Sequence, residues 1–167
     1  MMSFEQLMKR GIEKFSYIHE TCQIDPTAKI GAFNVIEPGV VIGAGTIIEN
    51  FCEIMQGTVI GDGCMIRSYS RIGPDNEIGS RVTIKCAAIT GPKVRIYPGA
   101  FIGPQTICFS DLETKVAETI IHEDAIVGGG CRIMAGISIG ADSMIGAGSV
   151  VTKHVMPGVT VKGVPAK

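Results

Sequence analysis

With 167 residues and 15 Lys and Arg against 16 Asp and Glu, the chain has a formal net charge of −1, enough sequence for one domain with a continuous core and no basic footprint for a nucleic acid. Only 19% of residues are charged and 5% aromatic, while 22 are glycine, a composition that argues against disorder. No apolar run approaches the roughly 18 residues of a membrane span and no signal peptide opens the chain, so the expectation is a cytoplasmic protein without a membrane partner.

Met1 to about Tyr17 contains SFEQLMKRGIEKF, with Phe4, Leu7 and Met8 at helical spacing behind Ser3. It predicts a short amphipathic helix, capped by Ser3 and weakened at Gly11, that covers the open edge of the main domain. Residues 1–20 therefore read as a cap helix and lead-in, and 21–167 as the main domain.

An isoleucine then recurs every sixth residue: Ile24, Ile30, Ile36, Ile42, Ile48, Ile54, Ile60, Ile66, Ile72, Ile78 and Ile84, then Thr90 in its place, then Ile96 and Ile102. A period of six is neither a helical face nor plain strand alternation, so it is an internal repeat, the hexapeptide signature of an all-β parallel β-helix. Four residues after each isoleucine stands a compact side chain, such as Ala28, Val40, Thr46, Cys52, Thr58, Cys64 or Ser70, an even step that puts both on one face. Glycine often follows the isoleucine directly, as at Gly31, Gly43, Gly61 and Gly73, and is expected to permit the bends between short strands. Prolines such as Pro26, Pro38, Pro74 and Pro104 fall one residue later, at corners where no ladder donor is needed. Three hexads, about 18 residues, make one triangular coil, and coils stack at roughly 4.8 Å so that the isoleucines line up inside. The six cysteines form no CxxC pair, and Cys52, Cys64 and Cys131 take the compact position, so they read as core filler and not as disulfides or metal ligands.

After Cys108 the segment CFSDLETKVAETI has no hexad, and the beat resumes at Ile121 one residue out of register. Such an excursion, about residues 109–120, is a loop thrown from one corner, where function tends to reside. Val127, Ile133, Ile139, Ile145 and Val151 carry the repeat on to the tail IGAGSVVTKHVMPGVTVKGVPAK.

The hexads and this tail resemble the hexapeptide-repeat acyltransferases, closest to the sugar and nucleotide-sugar N-acetyltransferases. The resemblance covers about Ile24 to the C-terminus and implies a left-handed parallel β-helix, a homotrimer with active sites between subunits, and acetyl-CoA as acyl donor without a metal. FSDLE is similar to an FxND-like motif of nucleotide-sugar N-acetyltransferases, which puts Ser110 on the asparagine and Asp111 on the aspartate. His154 stands where relatives commonly carry an acidic residue.

Acetyl transfer from a thioester needs a slot for the pantetheine arm, an amide donor for the thioester oxygen, a held acceptor and sometimes a base. Gly128, Gly129 and Gly130 occupy a corner without side chains, and Gly146, Ala147 and Gly148 the corresponding corner about 18 residues later. They are the expected coenzyme wall, although corner-turning alone also accounts for them. Lys153 and Lys162, with Lys167, are expected near the coenzyme phosphates. Ser110, Asp111 and Glu118 are the expected acceptor contacts, with Asp111 also a catalytic candidate. The loop holds no histidine; His122, followed by Glu123 and Asp124 that would orient it and stabilise its imidazolium, is the candidate base or else an exposed corner residue. His19 and His154 are set aside because they lie near the ends of the sequence.

Scarcity of histidine favours an amine acceptor, since an amine has a usable neutral fraction near pH 7 whereas a sugar hydroxyl needs a positioned base. The expected function is therefore N-acetylation of an amino sugar, nucleotide-linked, by direct attack in a ternary complex. The alternatives are an O-acetyltransferase of small saccharides or glycans and a catalytically silent scaffold. A γ-class carbonic anhydrase, which would share the fold, needs three histidines about one metal, and His19, His122 and His154 are 103 and 32 residues apart.

Overall fold

A computed structural model describes residues 15–112 and 115–167, without the side chains of 111, 112 and 115. The helix expected over Met1–Tyr17 falls mainly on residues 1–14, outside the described residues. From Tyr17 onward the chain is a left-handed parallel β-solenoid of about eight turns with no helix among the described residues.

Its three walls are parallel sheets of two- or three-residue strands. Face 1 runs from Tyr17–Ile18 through Arg71–Ile72 to Val150–Val151, face 2 from Gln23–Ile24 through Glu77–Ile78 to Ser138–Ile139, and face 3 from Lys29–Ile30 through Thr83–Ile84 to Thr160–Val161. Register is that of the six-residue beat: Ile36 pairs with Ile54 on face 1, Ile42 with Ile60 on face 2, and Ile48 with Ile66 on face 3. Ile18, paired with Ile36, opens the ladder one hexad ahead of Ile24.

The expected core is the observed one. Ile36, Ile54, Ile66, Ile72, Ile84 and Ile102 are wholly inaccessible, each stabilising the fold by about 1.5–3 kcal/mol relative to exposure. The compact position stitches neighbouring coils. Thr46 Oγ1 donates to the Gly61 carbonyl at 2.7 Å and accepts from the Cys64 amide at 2.9 Å. Burial pushes the Cys108 thiol up to about 12 and that of Cys52 up to about 11, as filler thiols require.

Corner glycines have a different reason from the one the sequence suggests. Those that directly follow the isoleucine are not in the left-handed backbone region. They are glycine because coils meet there: a Cβ on Gly73 would lie 2.3 Å from the Gly91 carbonyl oxygen, and one on Gly43 2.7 Å from the Gly61 carbonyl carbon. The left-handed residue comes two positions later, in the second central place of a turn whose first place suits proline. Gly39, Gly57 and Gly99 fill it on this pattern, but so do Phe33, Phe51 and Tyr69, at φ of 59°, 57° and 66°.

On the edge between faces 3 and 1 those aromatics stack. Ring centroids of Phe15, Phe33, Phe51 and Tyr69 succeed one another at 5.3, 4.9 and 5.1 Å, each pair contributing about 0.5–1.5 kcal/mol beyond its area. The stack offsets left-handed strain of about 1 kcal/mol or more per residue. Phe51→Ala loses two ring contacts and keeps the strain, whereas Phe51→Gly loses the contacts and sheds it. Urea unfolding should therefore find the glycine variant about 1 kcal/mol more stable than the alanine variant, the reverse of the usual strand order; an equal or inverted pair would show that no strain is stored there.

Cys86 is exposed and Cys22 half-buried, while Cys52, Cys64, Cys108 and Cys131 are buried. Iodoacetamide at pH 8 should modify Cys86 first and Cys22 more slowly, and reach the other four only in denaturant, as mass mapping would show.

Candidate functional site

Each corner turns on residues whose amides would otherwise face outward, and the edge between faces 3 and 1 treats them unevenly along its length. In the first coils the first central amide is capped: Ala32 N–H donates to Asn50 Oδ1 at 2.8 Å, Asn50 N–H to Ser68 Oγ at 3.4 Å, and Ser68 N–H to Glu49 Oε2 at 3.0 Å. Pro104 has no N–H, and Gly163 donates to Ser149 Oγ at 3.0 Å. The amides of Cys86, Gly129 and Ala147 have no acceptor among the described residues. Of these, Gly129 and Ala147 stand on consecutive coils, with the Pro104 ring on the coil before them and Arg132 Nη1 donating to the Gly130 and Cys131 carbonyls at 3.1 and 3.0 Å.

Stacking there is direct. Gly148 N–H donates to the Gly129 carbonyl at 2.8 Å, and a Cβ on Gly128 would lie 2.6 Å from the Ala147 nitrogen. Gly130 and Gly148 take the left-handed place at φ of 70° and 71°. The expected coenzyme residues Gly128, Gly129, Gly130, Ala147 and Gly148 thus form one open edge with two free donors about 4.8 Å apart. Lys162 continues this edge, its Cβ 2.8 Å from where one on Gly146 would lie, and it exchanges backbone hydrogen bonds with Lys167 at 3.1 and 3.2 Å. Lys153 comes just after Val151 on a different edge, between faces 1 and 2.

The loop also leaves from the edge between faces 1 and 2. Asp111–Leu112 and Lys115–Val116 pair antiparallel as a hairpin, so Asp111 rides on its first strand. Ser110 is buried and its hydroxyl donates to the Pro92 carbonyl, committing it to the wall. Glu118 pairs with Arg95 at 3.2 Å, and Arg95 also meets Glu77 at 3.0 Å. The hydrogen bonds that Arg95 donates to Glu77 and the charge of Glu118 push the Arg95 guanidinium further up. That trio lines a cavity of about 190 Å³ with Asp75 and Lys93.

His122 lies on the third edge, between faces 2 and 3. Its Nδ1 is 3.8 Å from Glu123 Oε2, its Nε2 is 3.1 Å from Ser138 Oγ, and its ring stacks on Tyr97 at 5.2 Å. His154, set aside on sequence position, is beside it: Ser138 N–H donates to His154 Nδ1 at 3.0 Å. Both histidines line one pocket of about 420 Å³ with Gly140, Ala141, Val155, Met156 and Pro157. The last coil is two residues short on face 2, where Ile139 bridges Val155 and not residue 157; this draws His154 under Ser138. Tyr97 and Ser138 stand in no motif, and the sequence signals for His154 are its departure from the acidic residue common in the tail motif and the slip from Val151 to Val155.

One chain therefore sets the glycine wall, the hairpin and the imidazole on three different edges. His122 and Gly129 are separated by a wall of the prism, on the order of 15–20 Å at about 3.3 Å per residue.

The family described as GMPPB C-terminal domain matches residues 12–116, and the one described as bacterial transferase hexapeptide (six repeats) matches residues 118–153. The chain belongs to the hexapeptide-repeat transferase family. Among curated relatives, the serine acetyltransferase of Buchnera aphidicola subsp. Schizaphis graminum is 43% identical over 53 residues, 32% of this chain and 20% of that protein. That of Mycobacterium tuberculosis is 35% identical over 98 residues, 54% of this chain and 41% of that protein. The chain spans less than half the length of either. Among solved structures, the UDP-N-acetylglucosamine acyltransferase of Francisella novicida aligns with a TM-score of 0.65 at 21% identity over 92% of this chain and 67% of its own, a likeness of fold.

Proposed function

We propose that this chain is a coenzyme A-dependent acetyltransferase whose acceptor is the amine of a nucleotide-linked amino sugar, acting by direct transfer in a ternary complex. The observation that carries the reading is the pair of uncapped amides, Gly129 N–H and Ala147 N–H, on an edge where Gly128, Gly129, Gly146 and Gly148 carry no side chain. An extended pantetheine arm offers carbonyls spaced along it to such an edge, and a preorganised amide is what a developing thioester oxyanion requires. Relatives named as acetyltransferases support the acyl group. Lys162 and Lys167 lie on the edge where the phosphates would run.

The acceptor amine attacks the thioester carbonyl, the oxyanion is held by a corner amide, and the thiolate leaves as coenzyme A. His122 Nε2 takes the amine's proton, with Glu123 beside its Nδ1. Asp111 on the hairpin supplies a carboxylate to the acceptor, while Ser110 and Glu118 keep their wall and Arg95 partners. Because wall and imidazole stand on different edges, the ternary complex needs the wall of one copy and the imidazole of another, as in a homotrimer.

An O-acetyltransferase of small saccharides is the second reading, favoured by the carboxylate–imidazole–hydroxyl order of Glu123, His122 and Ser138.

Coenzyme A release measured across nucleotide-linked amino sugars and plain saccharides separates the two: turnover only with amines supports the first, turnover only with saccharide hydroxyls the second. Acetyl-CoA at a hundred times its Kd should stabilise the fold by about 2.7 kcal/mol; a flat thermal shift leaves the scaffold reading. Ala147→Pro deletes the free N–H at a turn place where six other corners between Pro26 and Pro104 already hold proline. It should keep the melting temperature and lower kcat by about 10²–10³, and unchanged kcat would remove that amide from the mechanism.

His122→Ala should lower turnover about a hundredfold or more. Mixing it with Ala147→Pro after joint refolding should restore about a quarter of the sites if each is built by two copies. No recovery would place the whole site within one chain.

A further inference from the structure

We propose that His154 and Ser138 form, with His122, an acceptor subsite that takes a vicinal amino alcohol lacking a carboxylate, as on an amino-sugar ring. The inference rests on the transferase reading above and adds residues and a substrate class to it.

Donors and acceptors in this pocket are fixed by one backbone amide. The Ser138 N–H only donates, so His154 Nδ1, 3.0 Å away, is the acceptor. A neutral His154 then carries its proton on Nε2 and presents a donor. His122 is arranged the opposite way. Glu123 Oε2 lies 3.8 Å from its Nδ1, and Nε2 is 3.1 Å from Ser138 Oγ; with the proton drawn to the Glu123 side, Nε2 holds the lone pair and accepts from the Ser138 hydroxyl. The two imidazoles, both within hydrogen-bond reach of one serine, thus offer one acceptor and one donor, with a hydroxyl rotor between them that can do either.

A ligand that matches this pair has an N–H or O–H beside an oxygen that accepts. A neutral amine donates to His122 Nε2, displacing the Ser138 hydroxyl, and the oxygen on the neighbouring carbon accepts from His154 Nε2–H. Gly140, Ala141, Val155, Met156 and Pro157 supply an apolar floor for C–H groups in a space of about 420 Å³, within the range of small-ligand sites. Among the described residues no Lys or Arg lines the pocket, so an amino-acid acceptor would bring a carboxylate without a cation to meet it, a cost that a sugar ring avoids. The pocket is therefore built for a different acceptor from that named for the serine acetyltransferases.

Two-dimensional NMR of the histidine ring nitrogens and carbons, with D-glucosamine and L-serine as probes, reads the subsite without turnover. Long-range ring spectra should show His154 with its proton on Nε2. D-glucosamine should shift the His122 and His154 ring signals together and saturably, and L-serine at the same concentrations should not. His154→Leu should weaken the His122 response at least tenfold. His154→Gln, which keeps an acceptor for the Ser138 N–H and a donor beyond it, should stay within about threefold of the native chain. Rings that ignore D-glucosamine, equal shifts with L-serine, or a His154→Leu chain that responds normally would each overturn the subsite. Ring shifts without coenzyme A release would refute the transferase reading and leave the subsite standing; release without ring shifts would do the reverse.

Discussion

Everything in this molecule depends on the inter-coil spacing of about 4.8 Å that parallel ladder bonds impose. The bonds are regular along each wall, as with Gly31 N–H to Ile48 O at 2.8 Å and Gly43 N–H to Ile60 O at 2.8 Å. At that spacing one isoleucine per strand fills the interior, one compact residue fits at each turn, and corners in close contact, such as Gly73 on Gly91, have no room for a Cβ. The six-residue beat is the imprint of those three demands. Glycine comes after isoleucine because Gly73 and Gly91 have no room for a side chain between them, and not because the backbone there needs glycine's freedom.

The two ends of the solenoid use this spacing differently. On the edge between faces 3 and 1, the N-terminal coils cap one another, with Asn50 serving Ala32 and Glu49 serving Ser68, and exposed aromatics stack along it. Toward the C-terminal end the same positions carry Gly129 and Ala147, and their donors are left for solvent or a ligand. Uncapped amides at the surface cost little because water satisfies them, and a ligand that excludes water inherits them at full strength. On the transferase reading, it is this open stretch of the edge that the coenzyme would use.

The solenoid, its walls and nearly all of its core were legible in the sequence, because a period of six repeated a dozen times leaves no competing geometry. Ile18 escaped because a single further isoleucine ahead of Ile24 adds little to a series. The glycine wall was legible for the same periodic reason, since Gly129 and Ala147 are 18 residues apart and stack. Non-periodic contacts were not. Motif similarity placed Ser110 at the acceptor, but its hydroxyl turns inward to Pro92. Glu118 is drawn to Arg95, 23 residues earlier on the neighbouring coil. His154 was set aside for lying near a chain end, yet a two-residue deletion in the last coil carries it to Ser138. A periodic pattern predicts what repeats, and not the contacts made where the repeat is broken.

A prism also limits what one chain can assemble. Successive corners of a coil point about 120° apart, so groups separated by one hexad, such as His122 and Gly128, diverge from each other by construction. A group on one edge reaches the next only by crossing a wall. Parallel prisms related by a threefold axis remove this limit. Each turns one edge toward a neighbour and receives a different edge of that neighbour, so chemical groups kept apart within a chain become adjacent between chains. On the transferase reading, the dispersal of wall, hairpin and imidazole over three edges is the arrangement a closed ring can use: every boundary brings unlike edges together, and all boundaries are equivalent. On that reading, symmetry would do for a repeating fold what folding back on itself does for a globular enzyme.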